Sequence, residues 1–121
     1  MAALAATGVI VAWREGEILF AKGSPATSLH FLLSGGILLC YSNGRSLHIH
    51  QRGETVGWSS LHTPYVHTAT AVCLADAATI QCPAMELYDL MRMDSEFGYH
   101  VMRGISRIRQ HRKAYWSAPR I

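Results

Sequence analysis

Apolar and polar residues alternate in short runs over the first two thirds of the chain and then change to helical spacing. Val9–Trp13, Ile18–Ala21, Leu29–Leu33, Ile37–Ser42 and Arg45–His50 read as strands. Arg14-Glu15-Gly16-Glu17 and Gly23-Ser24-Pro25 are the turns between the first three. Gly35-Gly36 permits a sharp bend or bulge. Asn43-Gly44 lies between two alternating runs, which predicts a hairpin with a two-residue loop. Gly53-Glu54 is a further turn, and Thr68–Leu74 and Ala77–Gln81 are the last strands, divided near Asp76. Many short strands with regular turns predict a β-sandwich or jelly roll.

Two helices follow. Pro83 suits a first helical turn, and Met85, Tyr88 and Met91 share one face of a helix running to Arg92. Asp94 then reads as the cap of a longer helix, with Glu96 in its first turn. Phe97, Val101, Ile105 and Ile108 recur at i, i+4, i+8 and i+11 as one apolar stripe. Arg103, Arg107, Arg109, Arg112 and Lys113 cover much of the remainder and read as a solvated face. Gly104 costs helix stability, so it predicts close approach of another backbone.

Composition bounds the function. With 121 residues, half of them hydrophobic and 16% charged, the chain fits one domain, 1–121, with ample core. A formal charge of +3 is too mild to argue for nucleic acid. Cys40, Cys73 and Cys82 are odd in number and form no CxxC pair, which points to buried thiols in a reducing, cytoplasmic compartment. Met1–Val11 is apolar but lacks the basic start of a signal peptide and is too short to span a bilayer, so no membrane partner is expected.

The stretch that carries chemistry is Gly53-Glu54-Thr55-Val56-Gly57-Trp58-Ser59-Ser60-Leu61, a loop His62-Thr63-Pro64-Tyr65-Val66, and His67-Thr68-Ala69. It reads as a strand end, a glycine turn at Gly57, one helical turn over Ser59–Leu61 and a Pro64 loop. Bare amides at the start of such a turn receive an anion or a polar ligand group. Gly53-Glu54-Thr55-Val56-Gly57 with His67-Thr68-Ala69 resembles the phosphate-binding cassette of cyclic nucleotide-binding domains in the CRP/FNR regulator family. The family pattern is roughly Gly-Asp/Glu-x-Phe-Gly-Glu, a short helix, then Arg-Thr/Ser-Ala. Upstream, Lys22–Gly35 is similar to the family's Gly-Asp-x-Ala-x-x-Leu-Tyr-x-Ile-x-x-Gly run. The resemblance covers about Val9 to Arg112. It implies a mainly β chain with C-terminal helices: a double-stranded β-helix, or jelly roll, over about 9–82 and helices over about 83–113.

It also implies a ligand site built from Val56, Gly57, Trp58, Ser59, Ser60, Leu61, His67, Thr68 and Ala69. Two of these depart from the family. Trp58 stands where the family's glutamate accepts a bond from the ribose, and an indole has a donor but no acceptor. His67 stands where the family's arginine forks onto the cyclic phosphate, and a neutral imidazole cannot make that bidentate pair. Losing two such bonds costs roughly 3–6 kcal/mol, about two to four decades of affinity. The expected function is therefore a small-molecule-sensing regulatory domain with cyclic nucleotide binding altered or lost. Its ligand would be a cyclic nucleotide or another small anion.

By the same resemblance the long helix forms a homodimer seam. Ala114–Ile121 is too short for a helix-turn-helix, so direct reading of DNA by this chain is not expected. Catalysis is not expected either, because Ser59 and Ser60 have neither a nucleophile elbow nor an acid partner beside His62 and His67. Two other readings remain open at this point. His48-Ile49-His50 followed by Glu54 has the His-x-His-x3-Glu spacing of a cupin metal site, with both histidines on one side of a strand. Trp58 and Tyr65 either stack on a planar ligand or fill the pocket, the latter giving a ligand-free interaction domain.

Overall fold

The two-residue period becomes a pair of four-stranded antiparallel sheets. The computed structural model describes residues 8–61 and 63–117, excepting the side chains at 105, 108, 109, 111 and 113–117. Its strands are β1 (Val9–Trp13), β2 (Ile18–Phe20), β3 (Ser28–Ser34), β4 (Ile37–Tyr41), β5 (Ser46–Ile49), β6 (Thr55–Val56), β7 (Ala69–Cys73) and β8 (Ala77–Pro83). They are followed by α1 (Ala84–Met93) and α2 (Ser95–Ser117). One sheet has the order β1-β8-β3-β6, the other β2-β7-β4-β5. Mainly antiparallel strands in two facing sheets, closed by C-terminal helices, are the predicted jelly roll.

The first sheet is covered on both faces, and β3 shows how. Leu29, Phe31 and Leu33 pack with Ile80, Cys82 and Leu87 under the helices, whereas Leu32 packs with Ile37, Leu39, Tyr41, Ile49 and Val56 between the sheets. Successive side chains point to opposite faces, so a strand buried on both sides is apolar in nearly every position.

Several local expectations are corrected. The β4–β5 hairpin pairs Cys40 with Ser46, and the Tyr41 N–H donates to the Arg45 carbonyl at 2.9 Å, leaving a three-residue loop, 42–44. Only Gly44 has positive φ, +85°, while a two-residue type I′ loop needs positive φ at both positions. The glycine bend at Gly35 is real. It coincides with the register shift of β3 against β8, and a Cβ there would lie 2.3 Å from the Asp76 carbonyl oxygen. Pro83 ends β8 and stands just before α1 rather than inside it.

The buried face of α1 is Ala84, Leu87 and Met91, not Met85 and Tyr88. Met85 is 80% exposed, because the helix lies across Leu29 and Cys82 with Leu87 down. Asp94 caps α2 as expected, its Oδ1 accepting the Phe97 N–H at 3.0 Å. Phe97 and Val101 pack on the chain's own sheet; Ile105 and Ile108, the rest of the stripe, have side chains outside the described residues. The close approach of helices falls at Gly98, where a Cβ would lie 3.0 Å from the Met91 carbonyl, while the space beside Gly104 is open. Arg112 is not on a solvated face but only 4% exposed. Cys40, Cys73 and Cys82 form no disulfide among the described residues, and burial, with Glu17 and Asp76 nearby, pushes the Cys73 thiol up.

Candidate functional site

β6 delivers the chain to the cassette. It pairs with β3 through His30↔Val56 and Phe31↔Thr55, and both its residues are buried. Gly57 then turns at φ +85°, and a Cβ would lie 2.7 Å from the Ser28 carbonyl, so the sharp turn needs glycine twice over. Trp58–Leu61 form one 3-10 turn. The Ser60 amide is spent inside it, donating to the Gly57 carbonyl at 3.0 Å. The Ser59 N–H precedes the first internal bond of the turn, as the leading donors of any helix do. The Ser59 and Ser60 side chains are buried, and Ser60 Oγ has no hydrogen-bond partner.

The turn is fastened to the helices. Trp58 and Leu61 pack with the Leu29–Phe31–Ile80–Cys82–Leu87 cluster, and the Tyr88 hydroxyl donates to the Leu61 carbonyl at 3.0 Å. Trp58 thus lies on the helix side of the sheet, and Tyr65 is exposed.

His67 is held at its backbone by the Gly23-Ser24 turn. Its N–H donates to the Ser24 carbonyl at 3.0 Å, and its carbonyl accepts the Gly23 N–H at 2.8 Å. The imidazole is buried and stacked on Phe20, ring centres 3.7 Å apart and 9° from parallel. Thr68 is exposed, and Ala69 is buried opposite Tyr41 in the β4–β7 ladder. Burial lowers the pKa of His67, so its ring is neutral at neutral pH.

A second histidine belongs to this interior. His30 is buried, lies 6.1 Å from Phe20 and 6.0 Å from Trp13 between ring centres, and its Nδ1 has no partner. Trp13 is fixed in turn by donating Nε1–H to Thr79 Oγ1 at 3.0 Å. Desolvation, then the charge of His67, lowers the His30 pKa to about 4. Sequence reasoning passed over His30 as part of a motif. The signal was there, since the strand period puts it on the same face as Leu32.

A pH dependence follows. Between pH 6.5 and about 4 the unfolded chain binds a proton at His30 that the folded chain does not, so stability rises with pH there and is lost on acidification. The shift corresponds to roughly 3 kcal/mol. Urea midpoints should fall from pH 7 to pH 4.5 and fall much less in His30→Leu. Equal falls in both proteins would contradict the assignment.

The metal reading fares differently. His48 and His50 are exposed with ring centres 4.7 Å apart, but Glu54 Oε2 accepts the His50 and Gln51 N–H groups at 2.9 and 3.1 Å. The carboxylate caps its own turn, and among the described residues no three His, Cys, Asp or Glu side chains are grouped to hold an ion. The cupin reading is not favoured. His62 lies outside the described residues.

Residues 10–94 match the model of the cyclic nucleotide-binding domain, well over half of the chain. The chain belongs to the cyclic nucleotide-binding domain family. Solved structures carry the same fold. One comes from a cyclic-GMP-dependent signalling pathway that regulates bacterial phytopathogenesis, with TM-score 0.80, 23% identity and 90% of each chain covered. The c-di-GMP responsive global regulator CLP of Xanthomonas campestris gives 0.78 and 17%, over 92% of this chain and 56% of that one. The catabolite activator protein of Thermus thermophilus gives 0.76 and 18%, over 95% and 55%. The chain thus spans about half the length of these last two regulators. Among curated proteins none matches significantly. No described helix of this cyclic nucleotide-binding domain is long and apolar enough to cross a membrane.

Proposed function

We propose that this cyclic nucleotide-binding domain is a small-molecule-sensing regulatory module with weakened cyclic nucleotide affinity. The ligand site of this reading is Val56–Leu61 with His67, Thr68 and Ala69. The observation that carries it is His67: where the family pattern has an arginine, this chain has a buried, neutral imidazole stacked on Phe20. A neutral ring cannot form the charged fork on a phosphate. The signal path is the packing of Trp58 and Leu61 on the helix cluster and the Tyr88–Leu61 bond. A ligand that shifts the turn shifts α1 and α2 with it. Relatives described as c-di-GMP responsive or as part of a cyclic-GMP-dependent pathway support the view that the scaffold serves several nucleotides. No catalytic step is assigned. Cysteines without a disulfide suit a cytoplasmic site.

Calorimetric titration with cyclic AMP and cyclic GMP tests the reading. The account expects dissociation constants no tighter than on the order of 100 μM, from about −5.5 kcal/mol of binding; submicromolar binding would contradict it. The same reading makes α2 the seam of a homodimer, with Tyr99 and Met102 exposed and open space beside Gly104. Sedimentation should show a dimer that Met102→Glu weakens, and a monomer at all concentrations would exclude the seam.

A further inference from the structure

An open cavity of about 360 Å³ lies where β1 and β3 end and β8 begins. It is at the other end of the first sheet from the cassette. The Ser28 carbonyl adjoins Gly57, and Ser34, at the far end of the same strand, lines the cavity, so about 20 Å of β3 separates the two. Ala12, Ala77 and Ala78 line it beside Trp13. Ala12 faces Ala78 and Trp13 faces Ala77 across the β1–β8 ladder, so methyl groups stand where paired strands ordinarily carry bulk. The indole N–H of Trp13 is committed to Thr79 Oγ1, which leaves the rest of that ring as apolar surface.

Three charged side chains complete the lining: Arg14, Glu17 and Asp76. The turn that carries the first two is fixed by its backbone. The Gly16 N–H donates to the Cys73 carbonyl at 2.8 Å, and the Cys73 N–H donates to the Glu17 carbonyl at 2.9 Å. The Arg14 N–H donates to Glu17 Oε1 at 2.8 Å, and the Glu15 N–H to Asp76 Oδ1 at 2.9 Å. Each carboxylate thus has one oxygen engaged by the turn and one left over. The ion pairs of the described residues are Arg92–Asp89 and His100–Glu96, so Arg14 has none, although two carboxylates line the same cavity. Both signs of charge are held on one fixed rim without neutralising each other. A purely anionic or purely cationic molecule would match only one of them.

We propose that this cavity is a second ligand site, separate from the cassette, for a small zwitterion with an apolar body, an α-amino acid by class. Its ammonium group lies against Glu17 and Asp76, its carboxylate against Arg14, and its side chain over the alanines and Trp13. The volume is that of a small-molecule site, typically about 300–1,000 Å³. All three charged residues are exposed, so each pairing is weak and screened by salt, and the fixed rim lowers the ordering that binding requires. The site does not depend on the sensing reading of the cassette.

The test is a proton–nitrogen correlation NMR titration of the whole chain with L-leucine, L-phenylalanine, N-acetyl-L-leucine and L-leucinamide at matched ionic strength. Leucine or phenylalanine should move the amides of Glu15, Glu17 and Ala77 and the Trp13 indole N–H saturably, and leave the amides of Ser59 and Ser60 in place. N-acetyl-leucine, which lacks the ammonium, and leucinamide, which lacks the carboxylate, should bind at least about threefold more weakly. Arg14→Gln should weaken leucine by a similar factor and leave leucinamide unchanged. Asp76→Asn and Glu17→Gln, whose amide oxygens still accept the N–H groups of the turn, should weaken leucine and leave N-acetyl-leucine unchanged. The hydrogen bonds of the turn use only the backbone of Arg14, so Arg14→Gln serves if the other variants do not fold. No saturable shift with either amino acid, shifts confined to Ser59 and Ser60, equal affinity for leucine and its two one-charge analogues, or undiminished binding in Arg14→Gln overturns the proposal. Cyclic nucleotide titrations read the cassette separately, so either site fails without the other.

Discussion

Gly35→Ala is expected to destabilise the domain by about 2–5 kcal/mol, enough to leave much of a marginally stable chain unfolded. Two effects add. The residue has φ +89°, where an L side chain is strained. Its Cβ would also lie 2.3 Å from the Asp76 carbonyl oxygen and 2.6 Å from Ala77 Cα. Both are backbone atoms at the start of β8, so neither swings aside as a side-chain end would. Relief requires moving β8 away from β3, and those strands join the two hydrophobic clusters. Gly16→Ala is the matched control, with φ +86° and nothing within 4 Å of the added carbon. It should lose only the conformational part, about 1 kcal/mol. Urea midpoints read both. Equal losses in the two variants would mean that the close approach at Gly35 is readily relieved.

The strands were legible because they are short and apolar and because the first six are followed by a glycine turn. Their ends moved by a residue or two, as at β8, which runs on through Cys82 to Pro83. The Asn43-Gly44 hairpin was placed correctly and its loop counted wrongly. An Asn-Gly pair suits a two-residue loop at both positions, and only the φ angles separate that from a type I turn closed by Gly44. The face of α1 was misread because Met85, Tyr88 and Leu87 are all apolar. Which of them is buried depends on how the helix lies over Leu29 and Cys82, a tertiary choice that helical spacing does not contain.

The site shows the same division. Gly57, the 3-10 turn at Trp58–Leu61 and the return at His67 follow from glycine and proline positions and from the resemblance to the family. The groups that give the interior its electrostatics do not follow. His30 lies nearly forty residues before His67 in sequence, and only the closing of the sheets brings both onto Phe20. Arg112 sits in a run of basic residues that reads as a solvated helix face, and its burial depends on where α2 crosses the barrel. Trp58 is placed in the cassette by the family pattern, which says nothing of what it packs against. Its packing partners are those of the helix layer.

The second large effect concerns His67. Replacing it with arginine restores a fork where the family pattern has one, with the backbone already fixed by Gly23 and Ser24. A hydrogen bond to a charged group is worth about 1.5–3 kcal/mol, or roughly one to two decades of affinity. The stack on Phe20 is lost in the exchange. Side by side, calorimetric titrations of wild type and a folded His67→Arg with cyclic AMP and cyclic GMP measure that gain. The account predicts weak binding by wild type and binding about 10- to 100-fold tighter by the variant. Tight binding by wild type, or no gain in His67→Arg, would contradict the claim that the neutral imidazole is what weakens the cassette.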